Sequence, residues 1–187
     1  MMKRRLSIGL GILAVAAAVP FVSGTPVFAN LQKAGTELVN KILQPEVKLV
    51  LSAEKKVTTT NANGEPEISW EAVEGNVTVR PGDVLRYTLL SENAGDKPAS
   101  ELKINQPIPN QTAYVLDSAR ANGATLTYSI DGGQTYSTQP MLEVTQPDGT
   151  VKLEPAPADA YTHVQWDYSE SLKPMASVQA VYEVAVQ

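Results

Sequence analysis

The chain has 187 residues, a formal net charge of −5 and no cysteine. Its acidity argues against nucleic acid or anionic lipid as a partner, because clustered Lys and Arg supply that affinity. Without cysteine it has no disulfide framework, no thiolate zinc site and no lipid-modified cysteine to tether it.

Residues 1–29 have the order of a secretory signal peptide. Lys3, Arg4 and Arg5 lead. An uncharged, mostly apolar run follows from Leu6 to Val22, and Val27-Phe28-Ala29 supplies a small-residue cleavage site. Cleavage before Asn30 leaves 158 residues with a charge of about −8, enough for one domain with a real core. The protein is therefore expected to be exported, to the periplasm or out of the cell. No second apolar run of about 18 residues occurs, so no membrane span is expected after cleavage.

Residues 30–44 form the next segment. Leu31, Ala34, Leu38 and Ile42 fall at helical spacing with Lys33, Glu37 and Lys41 between them. The pattern predicts a short amphipathic helix, or a linker, that Pro45 ends.

From residue 45 to 187 the period is two. Val47, Leu49 and Leu51 alternate with polar residues, and so do Ile68, Trp70 and Ala72. Leu85, Tyr87 and Leu89 share a face, as do Leu126, Tyr128 and Ile130. Val164, Trp166 and Tyr168 alternate with His163, Gln165 and Asp167, and Val178, Ala180, Tyr182, Val184 and Val186 all point one way. Such alternation marks strands with one buried face. Asn63-Gly64, Glu74-Gly75, Pro81-Gly82, Asn93 to Asp96, Asn122-Gly123, Asp131 to Gly133 and Asp148-Gly149 punctuate these runs with turn chemistry. Glu154-Pro155-Ala156-Pro157 reads as an exposed loop or edge. Many short strands with frequent turns predict an all-β, antiparallel sandwich.

The stretch 79–186 resembles the bacterial conserved-repeat surface domain, domain of unknown function 11. The residues that carry the likeness are Gly82-Asp83 with the strand to Leu89, the Asn93-Ala94-Gly95 turn, Pro107-Ile108-Pro109 and Thr112 to Val115. Val164-Gln165-Trp166, Leu172-Lys173-Pro174 and the closing strand complete it. The resemblance implies an immunoglobulin-like fold and a structural or adhesive role in the cell envelope, with no catalytic residues. Gln106 stands where that family has Asp, and Met175 where it has Gly. Met175 leads to the expectation that the last turn needs no positive φ.

Several residues are candidates for chemistry. Ser129, Asp131, Gly133, Thr135 and Tyr136 resemble an Asp-box, a pattern that builds a tight hairpin: the carboxylate accepts backbone N–H groups and Gly permits positive φ. His163 is the sole histidine and sits out of phase with its buried neighbours, so it is expected to face solvent. Asp159, Asp167 and Glu170 are the carboxylates nearest in sequence to a glycosidase pair, which needs a separation of roughly 5–10 Å. Asp83, Asp96, Asp131 and Asp148 at loop ends offer oxygen ligands, but no EF-hand loop is present, so calcium is unassigned and no cofactor is expected. Trp70 is the candidate ligand contact, since an exposed indole face anchors sugars or proteins. Asn76-Val77-Thr78 and Asn110-Gln111-Thr112 fit the glycosylation triplet and read as unmodified loops.

Together these residues predict a secreted, non-catalytic module that contacts a protein or glycan of the envelope. A carbohydrate-binding accessory protein is the alternative. A glycan-acting hydrolase is the third reading.

Overall fold

The computed structural model describes residues 45–74 and 78–187. The predicted leader (1–29), the predicted helix or linker (30–44), Gly75 and the start of the Asn76 triplet lie outside the described residues.

The described chain is built from strands: β1 (Val47–Thr60), β2 (Pro66–Ala72), β3 (Val84–Asn93), β4 (Lys103–Pro107), β5 (Thr112–Tyr114) and β6 (Arg120–Ala121). They continue as β7 (Ala124–Ser129), β8 (Met141–Thr145), β9 (Val151–Pro155), β10 (His163–Tyr168) and β11 (Ser177–Val186). One short 3-10 turn at Ala158–Ala160 precedes β10. Every strand pair is antiparallel. The larger sheet has the order β2-β1-β3-β11-β5, with β6 also on β11. The smaller sheet is β4-β10-β7, and β8 with β9 forms a separate two-stranded ribbon. Among the described residues no helix is long and apolar enough to cross a membrane.

The core lies between the two sheets, as the alternation predicts. Leu85, Tyr87 and Leu89 of β3, and Ala180, Tyr182 and Val184 of β11, meet Val164, Trp166 and Tyr168 of β10. Tyr87 stacks on Tyr182 at 5.2 Å, and Trp166, fully buried, bridges from the opposite sheet at 5.9 Å. A second aromatic group joins Tyr114, Tyr128 and Tyr161 with ring centres 5.2–5.4 Å apart. Aromatic side chains bury large areas and prefer such offset or tilted contacts, so these two clusters dominate the packing.

The turns are held in two ways. Gly64, Gly82, Gly123 and Gly149 adopt positive φ, as the turn signals predict. The turn after β3 instead uses the side chain of Asn93, which is fully buried. Its Oδ1 accepts from the N–H groups of Gly95 (3.1 Å) and Glu46 (3.3 Å). Its Nδ2 donates to the carbonyls of Lys97 (2.7 Å) and Leu172 (2.9 Å). One amide thus ties the start of β1, its own turn and the loop before β11.

Three expectations need correction. Met175 does adopt positive φ, at 59°, so the last turn keeps the left-handed conformation although glycine is absent. Its N–H donates to the Asn93 carbonyl, which fixes the backbone there. β2 alternates but buries neither face. β1 pairs with β3 only as far as Lys55, so residues 56–60 and their β2 partners run on as a ribbon beyond the core. Ile130 lies past the end of β7, in the turn that follows.

Candidate functional site

Two places gather the polar and aromatic residues that the sequence singles out. The first is the outer face of the larger sheet around Trp70. Strand register puts Glu54 of β1 opposite Arg86 of β3, and Arg86 opposite Glu183 of β11. Arg86 donates through Nε (3.0 Å) and Nη2 (2.7 Å) to Glu54 Oε2. Its guanidinium carbon sits 4.1 Å from the centre of the Trp70 ring, a cation–π contact. The half-buried indole therefore offers one ring face, the other being covered. Near this end of the sheet Lys55 follows the core phase of β1, and its ammonium meets Asp83 at 2.7 Å. Burial raises the Asp83 carboxyl, but the Lys55 hydrogen bond and charge and the Arg80 N–H outweigh it. The net result lies below the usual carboxylate range.

The second is the turn after β7. Asp131 Oδ1 accepts from the N–H groups of Gln134 (3.0 Å) and Thr135 (2.9 Å) and from the Ser129 hydroxyl (2.7 Å). Its Oδ2 accepts from the Thr135 hydroxyl at 2.6 Å. These bonds, the Thr135 hydroxyl first, hold the carboxyl well below its ordinary value. Gly133 has φ +86°, and a Cβ there would lie 3.2–3.3 Å from Tyr136 Oη and the His163 ring. The backbone angle thus favours glycine, and the neighbouring side chains leave a Cβ little room. The strand returns where Ser137 and Tyr128 exchange backbone hydrogen bonds of 2.8 and 2.9 Å. Ser129, Asp131, Gly133 and Thr135 of the Asp-box-like pattern are hydrogen-bonded within this closed turn.

His163 has the predicted outward phase, yet the turn folds against it and leaves it half-buried, with Nδ1 3.2 Å from Thr162 Oγ1. The remaining outer face of the smaller sheet is a polar ladder. Thr127 donates to Gln165 (3.1 Å), Gln165 donates to Asn105 (2.6 Å), and Lys103 meets Asp167 at 2.8 Å.

Asp159, Asp167 and Glu170 are spread along β10 and its flanks. Asp159 precedes β10 and Glu170 follows it, so the strand separates them. Asp167, between them, is already paired with Lys103. Among the described residues no group of three or more His, Asp or Glu could hold a metal ion. Asp83 and Asp131 are engaged as above, and Asp148 accepts from the Thr150 N–H (3.0 Å) and hydroxyl (2.6 Å). A cleft of about 240 Å³ opens at one end of the sandwich between Leu102, Tyr168, Leu172 and Val178. It is smaller than most small-molecule sites, which start near ~300 Å³.

The sequence reading missed the β8–β9 ribbon. Val151 and Leu153 are 58% and 65% exposed, although both are large and apolar. The signal was present: alternating residues flank Pro147-Asp148-Gly149, a three-residue hairpin loop with Gly149 at φ +82°. Arg86 and Glu54 were missed as well, although their phase in β3 and β1 sets them on the outer face. No family model matches this chain, and no curated protein or solved structure does either.

Proposed function

We propose that the chain is an exported, non-catalytic β-sandwich module that acts through protein contacts in the bacterial envelope or outside the cell. The observation that carries this reading is the placement of exposed apolar side chains. Ile68 on β2 and Val151 and Leu153 on β9 lie on two ribbons that run past the core, while Val50 and Leu90 pair on the outer face of the larger sheet. Strands with free edges and apolar faces are recognition surfaces for other chains. The signal-peptide pattern of residues 1–29 supports export. The motifs from Gly82 to Val186 support membership of the conserved-repeat surface domains, with their immunoglobulin-like sandwich and envelope role. The residues that tempt a catalytic reading have structural work instead: Asp131 closes a turn, Asp167 pairs with Lys103, and His163 packs beside Gly133.

The carbohydrate-binding alternative has less to stand on. Trp166 is in the core, and Arg86 covers one face of Trp70. The test is capture on immobilised protein from solubilised envelope fractions, beside a glycan panel, each with and without calcium. Capture of a protein that is lost in Ile68→Lys supports the reading. Glycan binding abolished by Trp70→Ala, or release of reducing sugar from envelope polysaccharide, overturns it.

A further inference from the structure

The free edge of β9 has a self-complementary pattern. Gln146 and Thr150 at the loop, and Pro140 and Ala156 at the base, are joined by backbone hydrogen bonds of 2.7 and 3.0 Å. Antiparallel ladders alternate hydrogen-bonded and non-hydrogen-bonded pairs. Lys152 with Val144 and Glu154 with Leu142 are therefore the bonded pairs that face β8. The N–H and C=O groups of Val151 and Leu153, and the C=O of Pro155, point to the other side. Among the described residues no strand lies on that side of β9.

We propose that β9 pairs antiparallel with β9 of a second copy, about a two-fold axis at Leu153. In that register Leu153 faces Leu153 of the second copy, and Val151 faces its Pro155. Lys152 faces the second copy's Glu154, and Glu154 faces its Lys152. Two opposite-charge pairs thus form across the axis on one face, and apolar pairs form on the other. Glu154 keeps an oxygen for this contact, since only Oε1 accepts from Gln146 Nε2 at 2.9 Å. Four backbone hydrogen bonds join the strands: Leu153 N–H to Leu153 C=O, and Val151 N–H to Pro155 C=O, each in both directions. Pro155 has no N–H, so it ends the ladder there and disfavours a longer, open-ended pairing.

Other symmetric registers of β9 lose the Lys–Glu match. The free edge of β8 pairs poorly with itself, because the symmetric register centred on Glu143 sets that carboxylate against its own copy. Charge pattern and hydrogen-bond parity therefore select β9 against β9. This inference assigns one of the two ribbons named above, β9, to a second copy and leaves Ile68 on the β2 ribbon for a foreign partner, so capture lost in Ile68→Lys and a dimer lost on charge reversal in β9 are read separately.

The test is sedimentation velocity of the purified protein across a concentration series, with charge reversals. A concentration-dependent dimer is expected. Lys152→Glu or Glu154→Lys alone weakens it about tenfold, because each places two like-charge pairs across the axis. The double swap restores it. The chain has no cysteine, so Leu153→Cys supplies a single thiol, and mild oxidation should give a covalent dimer. Val144→Cys, on β8, should not, because three strand spacings of ~4.8 Å separate the two copies of that position. A monomer at every concentration overturns the proposal. So does a dimer indifferent to charge reversal, a Leu153→Cys chain that links no faster than Val144→Cys, or an edge that captures a foreign strand while the chain stays monomeric.

Discussion

β11 and β9 are written in the same alternating pattern, and they end in opposite environments. β11 has β3 on one side and β5 and β6 on the other, with the β10 sheet across its inner face. Its Ala180, Tyr182 and Val184 are wholly buried. Among the described residues β9 has one partner strand and no covering layer, and all five of its residues are exposed. The difference teaches that alternation gives a strand two faces but does not bury either. Burial needs a second sheet, and the β8–β9 and β1–β2 ribbons outrun the sheets that would cover them.

This contrast predicts how substitutions divide. The largest effect belongs to Trp166→Ala, which empties the bridge between the sheets and should cost about 3–5 kcal/mol in urea unfolding. A loss no greater than that of an exposed ribbon substitution would mean that the core is not where this contrast puts it. Asn93→Ala comes next, at about 2–3 kcal/mol, because it strands the carbonyls of Lys97 and Leu172 and the N–H of Gly95. Chemical denaturation with amide exchange at Gly95 checks both the size and the place.

Met175→Gly runs the other way. Met175 is 76% exposed, so little packing is lost, and glycine relieves the left-handed backbone. Thermal unfolding should show a gain of about 0.5–1 kcal/mol. Ile68→Thr on the β2 ribbon should change stability by no more than about 0.5 kcal/mol, which leaves any loss of binding to be read as recognition.

The final contrast is silent near neutral pH. The Asp131 carboxyl is depressed by Thr135 and Ser129, and that of Asp148 by its bonds to Thr150. Their unfolded values lie near ~3.9, above the folded ones. The stability they contribute is therefore complete above about pH 4 and is lost as pH falls through the folded values. Melting between pH 7 and pH 2 should show this acid limb, and it should be shallower in Asp131→Asn. An unchanged limb in that variant would remove Asp131 from the account.

The core was legible because its central strands keep one period, although polar side chains such as Lys55, Ser91 and Asn93 also take inward positions. Val164, Trp166 and Tyr168, and the odd positions of β3, needed only the period of two. The turn at Asp131 was legible for a similar reason: its partners lie within six residues, so the motif contains its own hydrogen bonds. Trp70 could be marked as a candidate, but its Arg86 neighbour comes from a strand two places away in the sheet. That contact depends on register across β1. Met175 misled for a related reason. A missing glycine reads as freedom from positive φ, whereas the Asn93 carbonyl holds that backbone angle from 82 residues away.

The sequence by itself determined the two-residue period, the turn positions, the acidic charge and hence an antiparallel all-β chain, because these follow from local backbone geometry and composition. Only the tertiary structure decided which faces are covered. Strand length against the reach of the opposing sheet leaves Tyr182 dry and Leu153 wet. Register decides that Arg86 sits on Trp70, and hydrogen-bond parity decides which edge of β9 is free. These are relations between distant segments, and no local pattern contains them.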